Sequence, residues 1–289
     1  GNGLPLRWAR LPPSWVANSL VTGPVKFRGD LVDPAVDGWQ TVCDYDAWQT
    51  DVFLDGAAKR EAWLFDRVIA MYRGYAYAGS DTALISAYRE ATMYLDGMTV
   101  AGGVATAIAV PGANDDLKYH YAQGVAIHYL LTGDDRYREA AEAIARRAEQ
   151  LWDDPGYAGG DDFWTERHAG FGLLAFDWAA MVSDDQAARF DDLASSAANA
   201  YLDMQEAYSA ADDNARCFAH SATAHGEDYG TFGCSPWMSA IVADALDGVA
   251  RRRGGELASR IDGSLTKLAT AIARDGHDDT GRPLYWMAT

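Results

Sequence analysis

Apolar residues recur at helical spacing over most of this chain, and they do so in repeating pairs. Ala57 to Ala78 carries Trp63, Leu64, Val68, Met71, Tyr72 and Tyr75 at helix-like intervals. A tight Gly79-Ser80-Asp81 turn follows, with Asp81 placed to cap a return helix that runs to about Met98. The clearest copy of this unit runs from Lys118 to Leu151 and turns at Thr132-Gly133-Asp134-Asp135. A third pair, about 163–182 and 185–208, turns at Ser183-Asp184-Asp185; a fourth, about 236–253 and 256–274, turns at Gly254-Gly255, with Pro236 suited to its first turn. A recurring helix–turn–helix unit means helical hairpins stacked on one another, because one hairpin is too thin to bury its own apolar face. Strand alternation is weak after residue 55, so the pattern predicts an all-α fold of eight helices and argues against a parallel sheet. Residues 1–55 are rich in Pro, Gly, Trp and Asp and read as an irregular segment packed onto the helices by Trp8, Trp15, Trp39 and Trp48. Residues 56–289 form the hairpin domain.

Short turns alternate with long connections: 101–113, 153–162 and 211–235. Stacking sends the short turns to one face and gathers the long connections on the other. The first entrance brings Asp46 and Trp48, and the second Asn114, Lys118, His120 and Tyr121. The third brings Trp164, Glu166, Arg167 and His168; the fourth brings His220, His225, Glu227, Asp228, Tyr229 and then Trp237. Four of the six histidines fall in these entrances. Convergent His, Tyr, Arg and carboxylate side chains are the equipment of acid–base chemistry. Each has a plainer explanation too: first-turn Glu166 favours the helix dipole, adjacent acids solvate a loop, and Tyr121, Trp48 or Trp237 fill a core.

Charge narrows the partners. The net charge is −18, from 33 Asp and 9 Glu against 20 Arg and 4 Lys. Such a surface repels nucleic acid, and no basic stripe offsets it. No apolar run is long enough to cross a membrane. The opening residues lack a signal-peptide pattern, and the compartment stays open, with secretion one alternative. Cys43, Cys217 and Cys234 form no CxxC motif. A Cys217–Cys234 bridge and reduced buried thiols are both compatible with them. HExxH, GxSxG, the P-loop and GxGxxG are absent, which argues against the common zincin, serine-esterase and nucleotide chemistries.

The hairpin pattern, above all Leu130-Leu131-Thr132-Gly133-Asp134-Asp135-Arg136-Tyr137 and its weaker copies, resembles the (α/α) toroid superfamily of glycoside hydrolases and polysaccharide lyases. The resemblance covers about residues 57–276. Four hairpins are fewer than a complete six-hairpin ring needs, so it implies an incomplete toroid, an open arc or a smaller ring.

This resemblance implies a carbohydrate-active enzyme that cleaves glycosidic bonds in a polysaccharide or oligosaccharide. In the hydrolytic form Glu166 works with Glu227 or Asp228, since paired carboxylates across a cleft drive glycoside hydrolysis. His168, Arg167, His120 and Tyr229 surround the substrate, and Trp48, Trp164 and Trp237 stack on sugar rings. In the alternative form, β-elimination from a uronate, the matching types are Asn114, His120, Arg167, His168 and Tyr229. A non-catalytic module binding glycan or protein is the third reading. No cofactor is expected; zinc held by Cys217, His220, His225 and Cys234 is the rival, on loose spacing. Oligomeric state is not readable.

Overall fold

The computed structural model describes residues 10–31, 48–57, 60–109, 116–152, 165–208, 212–221 and 232–288. Those residues are mostly helical. The ten helices among them are α1 Pro13–Asn18, α2 Thr50–Ala57, α3 Arg67–Ala78, α4 Asp81–Asp96, α5 Ala122–Thr132, α6 Asp135–Leu151, α7 Glu166–Val182, α8 Ala187–Ala207, α9 Pro236–Arg253 and α10 Gly255–Asp275. The last eight are the helices of the four expected hairpins. The chain divides into two compact units, Gly1–Arg147 and Ala148–Thr289.

Turn chemistry accounts for the hairpins. Gly79 and Gly133, both at φ 71°, close α3 and α5 in the left-handed region where glycine carries no steric penalty. The cap of α4 is Ser80, whose hydroxyl accepts from the Ala83 N–H; Asp81 is the first helical residue, and Arg10 engages its carboxylate. Ser183 begins the third turn without a glycine, and its hydroxyl accepts from the Gln186 N–H at 2.9 Å.

Burial separates first helices from second ones. Fifteen of the seventeen residues of α7 are buried, from Glu166 to Val182. In α10 the buried residues are Ile261, Ser264, Leu268 and Ala271, a single stripe at helical spacing. α7 packs most extensively on α9, and it also packs on its hairpin partner α8. The close approach of α7 to α9 depends on Gly170. A Cβ there would lie 2.6 Å from Ile241 Cγ2 and 2.9 Å from the Ile241 carbonyl carbon. Alanine normally stabilises a helix interior relative to glycine, but here a backbone blocks it. Gly170→Ala should cost about 2 kcal/mol in urea unfolding; a gain would disprove the tight contact.

The irregular N-terminal segment differs in part from expectation. It contributes α1, a 3-10 turn at Arg28–Asp30 and α2. Val16 and Ala17, rather than Trp15, pack into a cluster with Tyr75, Ala76 and Ala83. Trp15 and Trp48 are 52% and 50% exposed, so neither is a core anchor; Trp8 and Trp39 lie outside the described residues. α2 is tied down at its first residue. The Thr50 hydroxyl donates to Glu90 Oε1 at 2.9 Å, and Arg67 binds the same oxygen at 2.6 Å. Burial pushes the Glu90 carboxyl up in spite of Arg67.

The connection after α4 holds an antiparallel strand pair, β1 Met98–Ala101 and β2 Val104–Ile108, that helical periodicity does not reveal. Gly102 and Gly103, at φ 58° and 78°, supply the two left-handed positions of a two-residue hairpin. A second, minimal sheet joins β3 His220–Ser221, β4 Phe232–Cys234 and β5 Met287–Ala288, each strand pairing antiparallel with the next.

Candidate functional site

The third and fourth entrances meet in the second unit. The start of α7, strand β3, the β4–α9 junction and the C-terminal segment converge on the Glu166 carboxylate, which is fully buried at the first position of α7. His220 Nε2 donates to Oε2 at 2.6 Å. The Ser235 backbone N–H donates to Oε1 at 2.6 Å, and the Ser239 hydroxyl reaches the same oxygen at 3.4 Å. Ser235 is the N-cap residue of α9 and Ser239 lies one turn further on, so a carboxylate from one hairpin closes the helix start of the next. The His220 ring is 1% exposed and meets the Trp286 ring edge-on, centroids 5.2 Å apart.

Arg167 and His168 follow Glu166 but point to different partners. The Arg167 guanidinium carbon lies 5.8 Å from the centre of the Trp237 ring, in cation–π range. Trp237 is 36% exposed and Tyr285 is 48% exposed, and their rings stand 6.4 Å apart. The Ser235 hydroxyl donates to the Tyr285 carbonyl at 2.7 Å, which joins this exposed aromatic pair to the buried carboxylate. His168 accepts the Thr165 N–H at Nδ1, 3.1 Å away, so its ring closes the free N–H end of α7. With Nδ1 accepting, the proton of the neutral ring sits on Nε2.

Cys217 and Cys234 are both buried and joined in a disulfide, with Cα atoms 6.3 Å apart. That fixes the choice left open between bridge and thiols. It also removes two donors of the zinc set: a disulfide sulfur is no thiolate, and His220 Nε2 is engaged by Glu166. As arranged, Cys217, His220 and Cys234 do not fit a zinc ion; His225 lies outside the described residues.

The second-entrance residues lie in the first unit. His120 is fully buried and donates from Nδ1 to the Asp116 carbonyl at 2.8 Å. Tyr121 is buried; its hydroxyl donates to the Trp63 carbonyl, and its N–H donates to the Tyr94 hydroxyl at 2.8 Å. Both side chains are core residues in these surroundings. Lys118 is half-buried, pairs with Asp116 at 2.7 Å and covers the Tyr119 ring. From the first entrance, exposed Trp48 stacks flat on Phe53 with centroids 4.8 Å apart. Asp46, Asn114, Trp164, His225, Glu227, Asp228 and Tyr229 lie outside the described residues.

The first unit repeats the carboxylate clasp. Asp66, next to Arg67 as Glu166 is next to Arg167, caps α3 and also accepts the Gly124 N–H of α5 at 2.7 Å. Sequence reasoning missed Asp66, Ser235, Ser239, Tyr285 and Trp286. The repeated acid–Arg pair at the start of a first helix was a usable signal for Asp66. Nothing local ties Tyr285 to Ser235, fifty residues away. A scan of protein-family models found no match to this chain, and searches of curated proteins and of solved structures found none either.

Proposed function

We propose that this chain is a carbohydrate-active enzyme of (α/α) toroid type that cleaves glycosidic bonds in a polysaccharide, with its centre at the start of α7. One observation carries the reading: an exposed Trp237–Tyr285 pair backed by Arg167, connected through Ser235 to the buried Glu166–His220 pair. Tilted, half-exposed aromatic rings offer their faces to sugar rings, and Arg167 supplies positive charge in a chain of net charge −18. Glu166 is bonded on both oxygens, so in this reading it orients His220, and His220 moves the proton. That division of labour suits β-elimination better than direct protonation by Glu166. The complete burial of Glu166 favours a second reading, a non-catalytic module that holds glycan on the same aromatic pair.

A panel of neutral and uronate-containing polysaccharides separates these. Either enzyme releases reducing ends; elimination alone also yields the ultraviolet absorbance of an unsaturated uronate. Glu166→Gln should lower the rate roughly 10²-fold, because the amide keeps one acceptor for two donors and must turn its N–H toward either His220 or the Ser235 N–H, and it no longer carries the charge that favours a protonated His220. Trp237→Ala should weaken glycan binding roughly tenfold, about 1.4 kcal/mol. Binding without product supports the module, and wild-type rates in Glu166→Gln reject the site.

A further inference from the structure

The disulfide brackets the site in sequence. Cys217 precedes His220 by three residues, and Cys234 immediately precedes Ser235. Those two partners supply the close hydrogen bonds to Glu166, one to each oxygen. The noncovalent ladder holding them is short: His220 pairs with Gly233 and Ser221 with Phe232, while β4 pairs with β5 at Gly233–Ala288 and Cys234–Met287. Ladders of two residues are marginal alone. The covalent bond closes the loop between the two partners and removes most of its unfolded freedom.

We infer that the Cys217–Cys234 disulfide is the positioning element that seats His220 and Ser235 on Glu166, so that the site is assembled in an oxidising compartment and dismantled by a dithiol reductant. The exchange balances. The dithiol gives two electrons and two protons, the Cys217–Cys234 bond breaks to two thiols, and the dithiol becomes a disulfide. Because both sulfurs are buried, attack requires local opening of β3 and β4 and proceeds slowly in the folded chain. The helices lie outside this loop, since the hairpin partners of α7 and α9 are α8 and α10, so reduction leaves them in place.

The test uses the wild-type chain before and after dithiothreitol, with alkylation confirming two additional thiols. Nitrogen-15 NMR of the His220 ring and the Ser235 amide reads the site, and far-ultraviolet circular dichroism reads the helices. Both NMR signals should move on reduction toward their positions in Glu166→Gln, with the helical signal retained. The Cys217→Ser/Cys234→Ser variant should reproduce the reduced spectrum. Unchanged His220 and Ser235 signals in the reduced chain overturn the inference. So does loss of the helical signal, which would make the bond a global staple. Neither readout depends on activity, so the result stands apart from the sugar reading.

Discussion

Asp66→Ala is expected to cost about 3 kcal/mol at about pH 5, a large effect for one side chain. The carboxyl is 2% exposed and serves two helices. Oδ1 accepts from the N–H groups of Val68 and Ile69 at 3.0 and 3.3 Å, and Oδ2 accepts from the Gly124 N–H at 2.7 Å. Alanine leaves three donors in the core without an acceptor, each worth about 1 kcal/mol or more. Gly124 packs directly on this carboxyl, since a Cβ there would lie 2.5 Å from Oδ1. Asp66→Asn keeps the α3 cap but turns an amide N–H toward Gly124, and should cost about half as much. Urea unfolding, with amide exchange followed at the starts of α3 and α5, measures both. A loss below about 1 kcal/mol in the alanine variant would falsify the double cap.

The second large effect is a hidden pair of opposed pH dependences in the first unit. Burial lowers His128 from 6.5 to about 4, where its Nδ1 meets the Tyr72 hydroxyl at 2.6 Å and its ring contacts Tyr88 and Tyr137. Burial raises Asp66 from 3.8 to about 7 against the three N–H groups that favour its charged form. Between about pH 4 and 6.5 the unfolded chain binds the extra proton at His128, so that residue makes stability rise with pH. Over the same range the folded chain holds the extra proton at Asp66, so that residue makes stability fall as pH rises. Each amounts to about 3 kcal/mol across the window, at about 1.4 kcal/mol per pH unit. The wild-type profile in this window should therefore be nearly level for these two groups. Asp66→Asn should unmask a rise with pH, and His128→Phe should unmask a fall. Parallel profiles in the two variants would contradict the assignment. The cost of Asp66→Ala should likewise shrink from about pH 4 to about pH 7 and level off above that, because the folded chain holds the extra proton only within this range.

Local rules made the hairpins legible. Gly79 and Gly133 end helices because a left-handed residue is needed there, and Pro236 begins one because its missing N–H is not required. Periodicity found the eight hairpin helices, because packing against a neighbour imposes a 3.6-residue repeat, but it began two of them too early: α3 starts at Arg67 rather than Ala57, after a 3-10 turn at Arg60–Trp63, and α5 starts at Ala122 rather than Lys118, after one at Leu117–Tyr119. It did not find β1 and β2, whose cue is the Gly102-Gly103 dipeptide rather than a repeat. Nor did it see that Val16 packs inward while Trp15, its neighbour, faces solvent; α1 is too short to define a face.

Helical class and hairpin turns could be read from the chain alone, because each depends on neighbours within a few positions. Packing between distant segments settled which polar side chains meet. Glu166, His220, Ser235 and Tyr285 come from four separate segments, and Cys217 chose Cys234 over a free thiol only once β3 lay beside β4. It also sent His120 and Tyr121 into the core while leaving Trp237 at the surface. The physical reason is that burial and hydrogen-bond pairing are properties of the packed neighbourhood, and a carboxylate becomes a structural clasp or a reactive group according to which donors surround it.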